Sequence, residues 1–68
     1  MVYVEVGMIN ELTGWYVVSI MPPEGQGWLS CKEWCLAQIQ PRVWRYVGEG
    51  VFEFESAKDA LMFRLRWE

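Results

Sequence analysis

The stretch SAKDALMFRLRWE, Ser56 to Glu68, decides the fold because it fits two patterns. Phe63, Leu65 and Trp67 alternate with Arg64 and Arg66, as in a strand, while Ala57, Ala60 and Leu61 step like a helix. At 3.6 residues per turn, Phe63, Trp67, Ala60, Ala57, Leu61 and Leu65 share one continuous arc. Ser56 with Asp59 three residues later adds a helix-start signal. Length and cap favour a helix from Ala57 to about Leu65, frayed toward Glu68. Arg64 then falls inside the apolar arc. A stem packed on the core, with the guanidinium escaping toward Glu53 or Glu55, accounts for it.

Upstream, VWRYV (43–47) and VFEFE (51–55) flank Gly48-Glu49-Gly50 and read as a hairpin with a glycine-containing turn. Ser30-Cys31-Lys32-Glu33 has capping-box spacing, so a first helix is predicted from there to Gln40, with Pro41 helping to end it. Its stripe is Cys31, Trp34, Cys35 and Ile39. PPEGQG (22–27) is a loop, because two prolines remove donors and two glycines loosen the backbone. WYVVSIM (15–21) and VYVEVGMI (2–9) pair as a hairpin across NELTG, with Val2, Val4, Val6 and Met8 on one face. The expected architecture is a single α+β domain over residues 1–68, in the order ββαββα. A four-stranded, mainly antiparallel sheet carries two helices on one face.

The two faces of that sheet differ. The helices should cover Val2, Val4, Val6, Tyr16, Val18, Ile20, Trp44, Tyr46, Phe52 and Phe54. The other face carries Tyr3, Glu5, Trp15, Val17, Ser19, Val43, Arg45, Val47, Val51, Glu53 and Glu55. An antiparallel sheet can leave one face wet, but this one mixes aromatic, aliphatic and charged groups. Trp, Tyr and Arg are the residue types most enriched at binding hot spots. Cross-strand pairs on such a face also stabilise a small sheet without any partner.

Composition sharpens the point. The chain has 68 residues, 53% of them hydrophobic, including five Trp, three Tyr and three Phe. A domain this small buries only about 60% of its unfolded surface. Some large apolar side chains should therefore stay outside, and clusters of them mark contact surfaces. The net charge of −3 gives no electrostatic reason to seek phosphate or anionic lipid. No run of 18 apolar residues suggests a membrane span, and the N-terminus lacks the features of a signal peptide. A cytoplasmic setting with reduced thiols is expected.

Little chemistry is available. Histidine is absent, which removes Ser-His-Asp and Cys-His arrangements within the chain. Cys31 and Cys35 lie one helical turn apart. They could begin a metal site shared across a dimer, but a zinc site wants four ligands. Buried free thiols are the simpler expectation, although Cys31 near a helix start could be somewhat acidic. Glu53 and Glu55 sit on one strand face without a cleft to separate their pKa values, so they read as solvated. No enzyme, metal site or cofactor is expected. Arg42, Arg45, Arg64 and Arg66 interleave with Trp44, Tyr46, Phe63 and Trp67, a mixture some small domains use to stack single-stranded RNA. Glu5, Glu53 and Glu55 on the open face oppose it.

From Phe52 to Trp67 the chain resembles a C-terminal pattern of small uncharacterised tailed-phage proteins, F-x-F-x4-D-A-x2-F-[KR]-L-[KR]-[WF]. The similarity covers about a quarter of the chain and carries no catalytic residues. It implies a phage origin and a protein that binds and redirects a host protein, such as defence or transcription machinery. The expected function is non-enzymatic, stoichiometric protein binding. The candidate partner-binding residues are Tyr3, Trp15, Val17 and Arg45 on the open sheet face, and Met62, Arg64, Arg66 and Trp67 on the C-terminal helix edge. A homodimer using the same apolar excess is the alternative.

Overall fold

A computed structural model describes residues 8–23 and 27–67. Its elements are β1 (Met8–Ile9), β2 (Tyr16–Ser19), α1 (Leu29–Gln38), β3 (Trp44–Gly48), β4 (Val51–Phe54) and α2 (Ala57–Trp67). The order is ββαββα, as read from the sequence. The strands form one sheet in the order β1-β2-β4-β3, and every neighbouring pair is antiparallel. The two hairpins therefore meet through β2 and β4.

Each hairpin is closed by local chemistry. In the first, the Asn10 N–H donates to the Trp15 carbonyl at 2.8 Å, and the Gly14 N–H donates to the Asn10 carbonyl at 2.7 Å. The Asn10 side chain also accepts from the Leu12 N–H at 2.9 Å, which makes the turn an Asx turn. The second turns on Glu49 and Gly50, with φ of 50° and 84°. Two successive positive φ values match the right-handed twist of the strands they join. Gly50 is also pressed from outside, because a Cβ there would come within 2.8 Å of the Trp28 ring. Trp28 is itself fixed there, its indole N–H donating to the Ile20 carbonyl at 3.1 Å.

The core lies between the sheet and the helices. Val18, Phe52 and Phe54 from the sheet meet Cys31, Cys35 and Ile39 at α1 and Ala60 and Phe63 from α2. Phe63 is the centre, with ring centroids 4.6 Å from Phe52, 5.1 Å from Phe54 and 6.0 Å from Trp34. This is the arc that identified Ser56–Glu68 as a helix. α2 runs on to Trp67, slightly beyond the expected Leu65. Ser56 caps it, its hydroxyl accepting from the Lys58 N–H at 3.1 Å.

Several expectations are corrected. The Ser30–Glu33 capping box is not formed: α1 starts at Leu29, and Trp28 is its cap residue without a side-chain cap bond. The indole bond that anchors Trp28 places the helix start ahead of Ser30, whose hydroxyl therefore sits inside the first turn. The helix ends at Gln38 rather than Gln40, because Ile39 is already extended. Met8 does not face the helices. It pairs with Val17, on the opposite face, and is exposed. Leu65, at the margin of the α2 arc, is exposed too. Val2, Tyr3, Val4, Glu5 and Val6 lie outside the described residues.

Candidate functional site

The open sheet face is organised around a carboxylate. Glu53 is central in β4, with Val17 opposite it on one side and Arg45 on the other. It was expected to be solvated, yet it is only 5% exposed. A buried carboxylate needs several donors to replace lost water, and three are supplied. Arg45 Nε donates to Glu53 Oε1 at 2.8 Å, Arg45 Nη2 donates to the same oxygen, and Asn10 Nδ2 donates to Oε2 at 3.2 Å. The Arg45 guanidinium also lies 5.0 Å from the centroid of the Trp15 ring, a cation–π distance. The network thus ties the first turn, the entry to β2, β3 and β4 together.

The Arg45 side chain remains 47% exposed. It is a charged group held in one place by a buried counter-charge and a ring, with one side left to solvent. Around it, Val17 and Val51 are half-buried, while Met8 on β1 and Val47 at the irregularity of β3 are exposed. Glu53 neutralises Arg45, which weakens the case for nucleic acid here. No group of three His, Cys, Asp or Glu side chains placed to hold a metal ion occurs among the described residues. No helix among them is long and apolar enough to cross a membrane.

The second expected surface, on α2, is separate, because it lies on the helix layer. Met62 and Arg66 are exposed there, and Arg64 is half-buried and engaged within the fold. Glu53, one of the two carboxylates expected to receive Arg64, points to the other face. Trp67 packs against the core with its indole nitrogen buried, and Arg66 lies 4.1 Å from its ring centroid. Trp67 is therefore mostly a structural residue. The structure brings Trp15, Val17 and Arg45 onto one face and leaves Met62, Arg64, Arg66 and Trp67 on another.

The chain matches no family model, no characterised protein and no solved structure among those compared. The assignment of a site therefore rests on geometry.

The expected surplus of apolar surface is present, but its chemistry differs. None of the five tryptophans is exposed. The large exposed apolar groups are aliphatic: Met8, Ile9, Leu12, Met21, Leu29, Leu36, Val47, Met62 and Leu65. Glu53 and Asn10 were missed as site residues. The two-residue Glu49-Gly50 turn alone would set Tyr46 opposite Glu53; the irregularity between Tyr46 and Gly48 shifts the register by one residue and brings Arg45 there.

Cys31 and Cys35 are both fully buried. Burial raises the Cys35 thiol to about 12, with smaller contributions from Cys31 and Asp59. Burial likewise raises Cys31, outweighing a backbone hydrogen bond and Arg66. The acidic, reactive Cys31 considered from its place near the helix start is thereby corrected.

Proposed function

We propose that this chain is a non-enzymatic module that binds another protein stoichiometrically through its open sheet face. The observation that carries this reading is Arg45, half-exposed yet fixed by Glu53 and Trp15, on a face that also shows Met8. An arginine ordered before contact loses little side-chain entropy on binding, and arginine is a frequent hot spot. Taken with the resemblance of Phe52–Trp67 to small tailed-phage proteins, the partner is a bacterial host protein, such as a defence or transcription factor. The site of action is then the host cytoplasm, and the effect is to inhibit or redirect that partner.

The test is affinity capture from host lysate with the wild type, Trp15→Ala, Arg45→Ala and Trp67→Ala, each checked for folding by thermal melting. A stoichiometric partner that is lost with Trp15→Ala and Arg45→Ala but kept with Trp67→Ala supports the sheet face. Capture that survives both face substitutions in folded protein removes it.

A further inference from the structure

The carboxylate of Glu53 has two oxygens, and different residues use them. Arg45 Nε and Nη2 both donate to Oε1, whereas Asn10 Nδ2 donates to Oε2 at 3.2 Å. An arginine beside a carboxylate commonly sets two parallel N–H bonds on the two oxygens. Here both arms of the fork fall on one oxygen, and the guanidinium lies 5.0 Å from the centroid of the Trp15 ring.

Asn10 can hold the second oxygen because both ends of its amide are committed. Its Oδ1 accepts from the Leu12 N–H at 2.9 Å, and a backbone N–H needs an oxygen there. Its Nδ2 faces a carboxylate, which only accepts when ionised. A flipped amide would set donor against donor and oxygen against oxygen, so the orientation is fixed from both sides. The backbone is fixed as well: the Asn10 N–H donates to the Trp15 carbonyl, and the Asn10 carbonyl accepts from the Gly14 N–H. The side chain leaves a rigid turn and reaches a strand 43 residues away.

We propose that Asn10 is the positioning residue of the sheet-face site. By occupying Glu53 Oε2 it keeps the Arg45 fork on Oε1, and so holds the guanidinium against Trp15. This rests on the protein-binding reading above and assigns that site a residue that acts through Glu53 and need not touch the partner. Without the Asn10 amide, Arg45 turns to pair with both oxygens of Glu53 and leaves the ring. The first turn thereby governs how Arg45 is presented.

Asn10→Ser keeps a turn acceptor but is too short to reach Glu53. Gly14→Ala is the control, because it strains the same turn, at a φ of 77°, and leaves Asn10 in place. In NMR spectra of the wild type, the Trp15 ring current displaces the side-chain protons of Arg45. Asn10→Ser should lose most of that displacement, and Gly14→Ala should keep it. Urea melts add a readout of opposite signs. In the Asn10→Ser background the coupling of Arg45 with Glu53, from Arg45→Met and Glu53→Gln, should rise. The coupling of Arg45 with Trp15, from Trp15→Leu, should fall. A residue that merely holds the turn together would lower both, and that result overturns the proposal. So does a displacement unchanged in Asn10→Ser, or one lost equally in Gly14→Ala. The wild type alone gives a further check: the Asn10 side-chain amide should exchange with water more slowly than those of the exposed Gln38 and Gln40, and equal rates also overturn it. All of these measurements use the isolated chain. A failed capture therefore counts against the sheet-face reading alone, and a failure here leaves the capture test as it stands.

Discussion

At the scale of single residues, Glu53 is the position most exposed to test. Three hydrogen bonds hold its carboxylate, two of them from Arg45. Glu53→Gln keeps the shape but removes the counter-charge and sets an amide donor against the guanidinium. Because Arg45 is half in water, the expected loss is about 1–2 kcal/mol rather than the larger cost of a fully buried pair. A urea melt of Glu53→Gln, Arg45→Met and the double variant measures the coupling; additive losses would show that the pair contributes nothing of its own. Cys35 makes a second prediction, on pH. Its thiol ionises at about 12 in the folded protein, against an ordinary value of 9.0. As pH rises the unfolded chain loses this proton first, so the stability is intact below pH 9 and declines from there toward 12. The stability gap between the wild type and Cys35→Ala should narrow over that window, and a constant gap refutes the assignment.

At the scale of elements, two serines with the same sequence signal behave differently. Ser56 caps α2 by a hydrogen bond, whereas Ser30 lies one residue inside α1 and caps nothing. Ser56→Ala should cost about 1 kcal/mol, and Ser30→Ala should be neutral or slightly stabilising in thermal melts. The Glu49-Gly50 turn supports a sharper expectation. Gly50→Ala combines a positive φ with a clash against Trp28, so a loss of about 2 kcal/mol or more is expected, read as a lower urea midpoint. These cases also mark what the sequence made legible. Periodicity found α2 and its packing arc, because the 3.6 repeat is local information. The same held for the second hairpin; of the first strand only Met8–Ile9 is described, paired with β2 as expected but with Met8 on the other face. The start of α1 was missed because it depends on an indole–carbonyl bond between Trp28 and Ile20, which no local pattern encodes. On the sheet face, Arg45 and Trp15 were found as types. The burial of Glu53 was not, because it requires the register of three strands at once.

At the scale of the whole molecule, one ring joins the layers. Phe63 touches Phe52, Phe54 and Trp34. Phe63→Ala should cost about 3–5 kcal/mol, and a domain under about 70 residues rarely has more than that to lose. Circular dichroism should show that variant largely unfolded at 25 °C; a folded Phe63→Ala with an intact melting transition would place the core elsewhere. The strand order has a kinetic meaning as well. Each hairpin closes over a few residues, whereas pairing β2 with β4 closes a loop that spans α1 and β3. Loop closure of that length is the slow event in small domains. Refolding should therefore be limited by the joining of two preformed halves, so substitutions in the hairpin turns and at the Val18–Phe52 seam should both slow refolding, whereas those that touch only contacts made after the halves meet should chiefly speed unfolding.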